Sequence, residues 1–367
     1  MKFTCMRSDL STAVSNVSRA VQVKATIPAL EGILIKAYGD TLNISGYDLE
    51  IGINTEINAT IREEGEIVVS ARLFNDIIRR LPEEVVSIET DERMITYIVS
   101  GAADYQIVGI SSAEYPELPK VEEQDKLTIG AEILKNMIRQ TVFATSDNMA
   151  KPIYTGSLFE IEDGYFRIVA IDGFRMAVRE EAVDSDIHTK FVVPAKTQSE
   201  ILKLITDNQK DVEIIVGQRH IIFRVENYSV ISRLIEGNFL DYKTTIPKNS
   251  STEFVINTRI LSSAVERMAL LTNEKIQSPV RCSISSEKIK LSCSTSVGKA
   301  KDAIRATISG SDVEIGFNNR YLLDALKNTE TDEVRIKLSG GLSPMIIKPV
   351  DGDSFTFLVV PMRLAAE

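Results

Sequence analysis

The sequence predicts an α+β fold of three repeated domains, each with short helices covering one face of antiparallel sheet. One strand-helix unit recurs along the 367 residues. Its strand contains Phe3, Leu127 and Phe254 in the three copies, and a leucine follows seven residues later in each. The copies lie 124 and 127 residues apart (3 to 127, then 127 to 254), which is the usual size of a domain. Because such a period defines an architecture, the fold prediction starts from it.

Each repeat is predicted to contain two halves, each with a strand, a helix and further strands. In the first repeat, apolar residues at helical spacing indicate the helices, and alternation with period two indicates the strands. The predicted elements are a strand at Phe3, a helix with Leu10, Ala13, Val14 and Val17, strands at 32–35, 42–45 and 67–70, a helix with Phe74, Ile77, Ile78 and Leu81, and strands at 85–88, 95–99 and 105–108.

The second repeat keeps this order. Asp172 follows Asp48 by 124 residues, and the segment 192–196 follows 68–72 by the same distance. The third repeat is looser, with a second helix that contains Leu322 and Leu326. The predicted domains are therefore residues 1–120, 127–247 and 254–367, joined by charged linkers at 120–126 and 248–252.

The composition is that of an ordinary globular protein, with 44% apolar and 26% charged residues. The first residues lack a signal-like apolar region, and no run approaches the ~18 apolar residues of a membrane span. Cys5, Cys282 and Cys293 form no CxxC pair, so we expect buried thiols in a reducing cytoplasm. His188 and His220 have no neighbouring metal-ligand partner, and glycine-rich phosphate loops are missing. We expect a cytoplasmic protein without a metal, a cofactor or a catalytic centre.

The net charge of −10 by itself disfavours nucleic acid. The six predicted helical windows are nevertheless each net positive; residues 71–81 hold Arg72, Arg79 and Arg80 against Asp76. The polar faces of the helices also carry hydroxyl and amide groups, a mixture suited to sequence-independent phosphate contact. Ordinary solvated helix faces are the alternative, and the charge pattern leaves both interpretations open.

Size limits what the helices could surround if they line one concave surface. A ~120-residue domain has a diameter of roughly 35 Å. Three in a ring leave a hole of about 5 Å, whereas six leave about 35 Å by the same estimate. Only six admit a duplex, whose major groove alone is ~8.5 Å deep. One chain supplies three domains, so we expect a head-to-tail dimer that also pairs the exposed strand edges of the repeats.

Several motifs closely resemble the bacterial DNA polymerase III beta subunit, the sliding-clamp family, along the whole chain. They are MKFT at 1–4, TIPAL at 26–30, LNISGYDLE at 42–50, DGFRM at 172–176, GFN at 316–318 and VPMRL at 360–364. The resemblance implies a dimeric ring that encircles duplex DNA, slides on it and tethers the replicative polymerase as a processivity factor. It also implies loading by an ATP-driven clamp loader, docking of other replication and repair proteins, and no enzymatic activity.

The resemblance also implies three sets of site residues. The DNA-binding set is Lys24, Arg72, Arg79, Arg80, Lys135, Arg139, Asn148, Lys151 and Lys196. The partner-peptide pocket is Tyr154, Ile171, Gly173, Phe174, Arg175, Met176, Leu240, Thr244, Asn318, Tyr321, Leu342, Pro344, Val360, Pro361, Met362, Arg363 and Leu364. The dimer interface is Tyr105 and Ile107 against Leu270 and Leu271. The pocket set is expected to form an apolar groove in which Asn318, Arg175 and Arg363 orient a short motif.

Some positions depart from the commoner family pattern. Ile171 and Phe174 stand where the family usually has threonine and often has histidine, which makes the pocket more apolar. The segment Ala365-Ala366-Glu367 extends beyond the usual end. The third repeat carries Lys299 and Lys301 at an edge that is acidic in some members, so no interfacial ion pair is carried over.

Two other classes of function compete with the clamp. An enzyme could use Asp48 and Asp172 as an acid/base pair, although an Asp beside Gly is most often a turn residue. A scaffold could bind peptides without encircling DNA. The scaffold predicts that charge reversal at Arg72, Arg79 and Arg80 leaves function intact, whereas the clamp predicts loss of DNA retention.

Overall fold

The computed structural model describes residues 1–272 and 278–364. The predicted C-terminal extension Ala365-Ala366-Glu367 lies outside the described residues. The fold is α+β, as predicted, with short helices on antiparallel sheets. The helices are α1 (Arg7–Val17), α2 (Ala71–Ile78), α3 (Ala131–Val142), α4 (Ala195–Leu204), α5 (Thr258–Ala269) and α6 (Asn319–Lys327). Short 3-10 turns lie at Ser18–Ala20, Pro28–Glu31, Ser112–Glu114, Pro152–Tyr154 and Tyr242–Thr244.

Each predicted helix is present with buried apolar positions, although α2 ends at Ile78 and the predicted Leu81 lies beyond it. In α3, Leu134, Met137 and Ile138 are fully buried. Helices α2, α5 and α6 begin at a side-chain cap of the kind that satisfies otherwise unpaired amide groups. Asn257 accepts hydrogen bonds from the first-turn amides of α5, and Asn318 does so for α6.

The predicted strands are present, but alternation holds only for some of them: Lys2–Met6 alternates, whereas Gly32–Tyr38 and Phe355–Val359 are buried along most of their length. In chain order they are β1 (Lys2–Met6), β2 (Gly32–Tyr38), β3 (Thr41–Tyr47), β4 (Ile51–Asn58), β5 (Thr60–Glu63), β6 (Gly65–Ser70), β7 (Val85–Thr90), β8 (Ile95–Ser100), β9 (Ala103–Val108), β10 (Asp125–Gly130), β11 (Gly156–Glu162), β12 (Tyr165–Ile171), β13 (Arg175–Ala182), β14 (Thr189–Pro194), β15 (Asp211–Val216), β16 (His220–Val225), β17 (Tyr228–Arg233), β18 (Thr252–Asn257), β19 (Val280–Ser285), β20 (Lys288–Thr295), β21 (Gly298–Arg305), β22 (Ile308–Gly310), β23 (Val313–Phe317), β24 (Glu333–Leu338), β25 (Met345–Pro349) and β26 (Phe355–Val359).

The described chain divides into two compact units that cut across the sequence repeats. The first unit comprises Met1–Lys135 and Lys196–Leu234. It contains a five-stranded sheet, β5-β1-β7-β8-β9, and an eight-stranded sheet, β10-β15-β16-β17-β4-β3-β2-β6. The eight-stranded sheet is composite, because β4 of the first repeat pairs with β17 of the second.

The second unit comprises Asn136–Ala195 and Ile235–Glu367. It contains a nine-stranded sheet, β14-β11-β12-β13-β26-β25-β24-β18-β22, and a four-stranded sheet, β21-β20-β19-β23. The nine-stranded sheet is also composite, because β13 of the second repeat pairs with β26 of the third.

The first predicted linker was too long at its C-terminal end. Asp125 and Lys126 belong to β10, where their backbones pair with β15 opposite Val216 and Ile215. Charged side chains suggested a linker, but pairing at a sheet edge engages the backbone and leaves such side chains exposed to solvent.

Candidate functional sites

The predicted peptide-pocket residues all lie in the second unit. A turn at 172–174 joins β12 to β13, and Gly173 takes the left-handed conformation there with φ +94°. The Asp172 carboxylate holds this turn by accepting from the amides of Phe174 at 2.8 Å and Arg175 at 3.0 Å. This is the turn role that the sequence suggests for an Asp beside Gly.

Part of the predicted pocket set belongs to an apolar cluster on one face of the nine-stranded sheet. Ile171 and Met176, both predicted, are buried within it. Its other buried members are Leu158, Val169, Val178, Val192, Tyr242 and Leu358. Tyr154 and Val360 pack against the cluster from the predicted set, and Tyr154 also meets the ring of Phe239 edge-on at 5.6 Å.

The Arg175 side chain makes its contacts with other residues of the same unit. Its guanidinium lies between the rings of Phe143 and Tyr321, at 5.5 and 4.8 Å from their centroids. It donates to Asp172 at 2.9 Å and forms a second ion pair with Asp324. Since the side chain is only 9% exposed, Arg175 supports the groove wall and does not present its charge to a ligand.

Exposed apolar side chains surround the cluster. Phe174 is 58% exposed and stacks on Tyr321, with ring centroids 5.8 Å apart. Leu342 and Leu240 are also exposed, and Pro344 is half-buried. The wall formed by Phe174 and Tyr321 is therefore aromatic.

The C-terminal segment is attached to this site at two points. The amide of Val360 donates to the carbonyl of Phe174, and the amide of Met362 donates to the carbonyl of Gly316, each at 2.8 Å. Gly316 has no room for a side chain, because an added Cβ would lie 2.6 Å from Leu364 and 2.9 Å from the Met362 carbonyl. Arg363 is exposed, Pro361 is half-buried, and Thr244 donates to the Asp241 carbonyl.

The predicted DNA-binding cations divide into two groups. Lys24, Arg72, Arg79 and Lys151 are exposed, and their side chains form no hydrogen bond or ion pair with the residues that the structure describes. Asn148 lies in the exposed loop before Lys151 and accepts from the Ala150 amide. These side chains are available to an external anion.

The remaining predicted cations have acidic partners within the chain. Arg80 pairs with Asp76 at 2.9 Å, and this hydrogen bond is the main reason that the pKa of Asp76 is lowered. Two further pairs are Arg139–Glu330 at 2.8 Å and Lys135–Asp207 at 3.0 Å. Lys196 donates to the buried carboxylate of Asp48.

The predicted dimer interface contains two sheet edges for which the described part of the chain offers no strand partner. They are β9, at one end of the five-stranded sheet, and β21, at one end of the four-stranded sheet. On β9, Tyr105 is 39% exposed, whereas Ile107 is 7% exposed. Leu270 is 83% exposed, and Leu271 packs partly on its own core beside Gly298 of β21.

Sequence reasoning missed several supporting residues. Asp324 lies one helical turn after Tyr321 on α6, so helical spacing could have indicated that both reach Arg175. Phe143, Phe239 and Tyr242 come from segments distant in sequence, and no local pattern indicates them.

The remaining predicted features are simple to locate. All three cysteines are buried free thiols, as predicted, and burial raises the pKa of Cys5 and of Cys282 to about 12. Over residues 1–272 and 278–364, no group of three His, Cys, Asp or Glu side chains could hold a metal ion. Within the same ranges, none of the helices has the length and apolar character needed to span a bilayer.

The chain matches three family models in sequence order. They describe the N-terminal domain of the DNA polymerase III beta subunit at residues 1–119, its central domain at 128–241 and its C-terminal domain at 243–363. The beta sliding clamp of Bacillus subtilis (strain 168) is 36% identical over 376 residues, covering 99% of this chain and 100% of that protein. That of Staphylococcus aureus (strain COL) is 32% identical over 374 residues, with 99% of each chain covered.

Solved structures agree over the full length. The DNA polymerase sliding clamp from Bacillus subtilis has a TM-score of 0.96 at 35% identity, with 100% of both chains covered. The sliding clamp from Pseudomonas aeruginosa bound to griselimycin has a TM-score of 0.94 at 29% identity, covering 99% of this chain and 100% of that one. With three clamp domains in order and relatives aligned end to end, the chain belongs to the DNA polymerase III beta subunit family, the bacterial sliding clamps.

Proposed function

We propose that two copies of this chain close head to tail into a ring that encircles duplex DNA and acts as the processivity factor of the replicative polymerase. The observation that carries the proposal is a missing third strand junction. Each of the two composite sheets forms where the last strand of one repeat pairs with a middle strand of another repeat. The last strands are β17 and β26, and their partners are the corresponding strands β4 and β13. The third equivalent pair of edges, β9 and β21, has no strand partner among residues 1–272 and 278–364.

Pairing β9 of one copy with β21 of the next would complete the series. The five-stranded and four-stranded sheets would then become one composite sheet of nine strands, comparable to the sheets of eight and nine strands within the chain. Two copies offer two such junctions, so a closed dimer leaves neither edge exposed, and exposed edges are a liability that proteins avoid.

The internal junctions also suggest the register of this pairing. In both, the third residue of one strand lies opposite the third residue of the other: Val230 opposite Ile53, and Phe357 opposite Ala177. The same rule sets Tyr105 opposite Ala300 of the partner subunit.

At the adjacent position, the same register places Asp104 opposite Lys301 of the partner subunit. Both side chains are exposed, and neither forms an ion pair among the residues that the structure describes. Opposite charges that face each other across paired strands stabilise the pairing. The junction therefore gains one ion pair, and Ile107 would lie opposite Gly298, beside Leu271.

DNA contact is assigned to the exposed polar faces of the helices, to the segments that follow α1 and α2, and to the loop at 148–151. Of the predicted DNA-binding cations, Lys24, Arg72, Arg79 and Lys151 are available to phosphates, in a chain whose net charge is −10. An acidic remainder repels DNA from other surfaces, so retention by encirclement suits this charge distribution better than tight adhesion does.

The remaining assignments follow the family. The groove around Ile171, Met176 and Tyr321 would dock the apolar motif of the polymerase and of other replication and repair proteins, and a clamp loader would open the ring. Residues 1–120, 127–247 and 254–367 would be the three clamp domains. The protein would act in the bacterial cytoplasm, as a ring without a reaction of its own.

Mass by light scattering, combined with retention on DNA after loading, tests the proposal. A dimer that remains on circular DNA and leaves linearised DNA through its ends would establish encirclement. A monomer, or retention that ignores DNA ends, would instead identify a peptide-binding scaffold and refute the ring.

A charge swap tests the register separately. Asp104→Lys and Lys301→Asp should each weaken the dimer, because each leaves two like charges opposite one another. The double variant Asp104→Lys/Lys301→Asp should restore it. Failure of the double variant to recover dimerisation would reject this register without rejecting the ring.

A further inference from the structure

A cleft lined by lysines lies on the same sheet face as the peptide groove. Its volume is about 380 Å³. The lining residues are Lys243, Ile246, Pro247, Lys248, Lys337, Ile346 and Lys348. Four ammonium groups around one concave surface are unusual in a chain with a net charge of −10, and they favour an anionic occupant.

Strand register makes the cleft and the groove one continuous surface. Residues paired across antiparallel strands project to the same face of a sheet. In such a row, Lys337 lies opposite Ile346, Ile346 opposite Leu358, Leu358 opposite Met176, and Met176 opposite Ile171. Neighbouring strands are ~4.8 Å apart, so Ile346 in the cleft is about 10 Å from Met176 in the groove. About three residues of an extended peptide span that distance.

The segment that follows the groove lines the cleft as well. Tyr242 is part of the apolar cluster, and Ile246 packs against that cluster while also lining the cleft. A chain leaving the groove along this surface would therefore remain in contact with protein until it reached the lysines.

The lysines retain capacity for an external anion. Lys248 is exposed and forms no ion pair or hydrogen bond within residues 1–272 and 278–364. Lys337 is 3.5 Å from one oxygen of Glu253, whose other oxygen pairs with Arg335 at 2.6 Å. The Arg335 bond is the main cause of the lowered pKa of Glu253, and one carboxylate shared by two cations leaves a net positive charge.

The other two lysines are partly neutralised. Lys348 pairs with Asp353 at 2.6 Å, and Lys243 pairs with Glu160 at 3.0 Å and with Glu162 at 3.3 Å. Burial would raise the pKa of Glu160, but hydrogen bonds from Lys243 and its neighbours outweigh burial and lower that pKa. Lys243 therefore shares its charge, and the excess positive charge comes mainly from Lys248 and Lys337.

We propose that this lysine cleft binds acidic side chains flanking the apolar anchor of a partner peptide. The proposal rests on the peptide groove of the proposed function. An acidic peptide fits the lining better than nucleic acid does. Single-stranded nucleic acid sites combine cations with aromatic stacking platforms, whereas this lining consists of lysine, isoleucine and proline. The carboxylates beside Lys243 and Lys348 would also repel a continuous phosphate backbone.

The test uses the full-length protein and fluorescent synthetic peptides. Each peptide has one anchor of two leucines and a phenylalanine, with four glutamates or four glutamines placed before or after it. In 50 mM NaCl, for one of the two flank placements, the glutamate peptide should bind about 5-fold tighter than the glutamine peptide with the same placement. The ratio of the two affinities should approach one in 500 mM NaCl.

Matched variants locate the effect. Lys248→Gln/Lys337→Gln should remove the advantage of glutamate and leave the affinity of the glutamine peptide unchanged. Glu253 keeps Arg335 in this variant, so no buried charge loses its partner. The control Lys288→Gln/Lys290→Gln removes the same charge from exposed positions on β20 and should keep the advantage.

Other outcomes separate the two proposals. If the glutamate and glutamine peptides bind with equal affinity for both flank placements, the lysine-cleft proposal is wrong and the groove proposal is unaffected. No binding of any peptide overturns both. If oligo(dT) binds in a manner that depends on Lys248 and Lys337 while glutamate gives no advantage, the cleft is a nucleic acid site and the peptide proposal is wrong.

Discussion

Leu49 and Gly173 occupy the same position in two repeats, 124 residues apart, and both have left-handed backbone angles, with φ of +75° and +94°. In each case the preceding aspartate holds the turn. Asp48 accepts from the amides of Glu50 at 2.9 Å and Ile51 at 2.7 Å, as Asp172 does from Phe174 and Arg175. A leucine in this conformation is strained, whereas glycine is not.

Replacing Leu49 by glycine should therefore stabilise the protein. Relief of the left-handed strain is worth about 1–2 kcal/mol, and the greater freedom of glycine in the unfolded chain costs about 0.5–1 kcal/mol. We expect a net gain of roughly 0.5–1 kcal/mol in the free energy of unfolding, measured by urea denaturation. The reciprocal change Gly173→Leu should lose stability; a loss in Leu49→Gly instead would mean that the leucine side chain makes a contact worth more than the strain.

The available cations should control retention on DNA. Changing Lys24, Arg72, Arg79 and Lys151 to glutamine should shorten the lifetime on circular DNA and reduce its salt dependence. Each lost phosphate contact lowers the slope of log affinity against log salt concentration by about 0.9. A control with glutamine at Lys120, Lys288, Lys290 and Arg305 removes the same charge elsewhere. Equal losses in the two variants would point to net charge alone and remove the assignment of specific side chains.

Lys196 should behave differently from the available cations, because its ammonium group forms an ion pair with the Asp48 carboxylate, which is 2% exposed. Lys196→Gln leaves that buried acid with only its backbone donors. We expect a stability loss of about 1–2 kcal/mol by urea denaturation, with a smaller effect on DNA retention than Arg79→Gln has. The reverse order of effects would show that Lys196 contacts DNA in spite of its internal partner.

The C-terminal segment should be needed for peptide binding and dispensable for ring closure. Gly316→Ala places a Cβ against Leu364 and the Met362 carbonyl, so the segment must move. We expect at least a tenfold loss of peptide affinity by fluorescence anisotropy, with an unchanged dimer mass. Gly130→Ala is the matched control, because its Cβ meets no atom closer than 3.4 Å. Deletion of residues 362–367 with unchanged peptide affinity would contradict the pocket assignment.

Leu270 should be the most sensitive single position for dimerisation, since it is 83% exposed and adjoins the β21 edge through Leu271. Leu270→Lys would bury a charge at the proposed junction and should give monomers by light scattering. Leu342→Lys changes an equally exposed leucine, at 85%, that belongs to the proposed peptide site, and it should stay dimeric. A dimeric Leu270→Lys would count against this interface.

The thiols should be inert in the folded protein. Burial raises the pKa of Cys5 and Cys282 to about 12, so below that pH the reactive thiolate is scarce as well as inaccessible. Ellman's reagent at pH 8 should detect no thiol in native protein and three in denaturant. Rapid reaction of one native thiol would reveal local opening around that cysteine.

The sequence by itself determined the repeats, the helices and most strands, because these depend on local periodicity. Burial of Leu134, Met137 and Ile138 follows directly from helical spacing, and the Asp172-Gly173 turn follows from local chemistry. The resemblance of motifs spread along the whole chain to the sliding clamps also indicated the family.

Only the tertiary structure decided which strands share a sheet and which charges are already paired. Strand pairing brings β17 to β4 and β26 to β13 across the repeat boundaries, and no local pattern encodes such long-range register. A sequence counts Lys196 and Arg79 alike as cations. Folding places a buried carboxylate beside Lys196, while Arg79 stays exposed, and the energy of a charge depends on that three-dimensional surrounding.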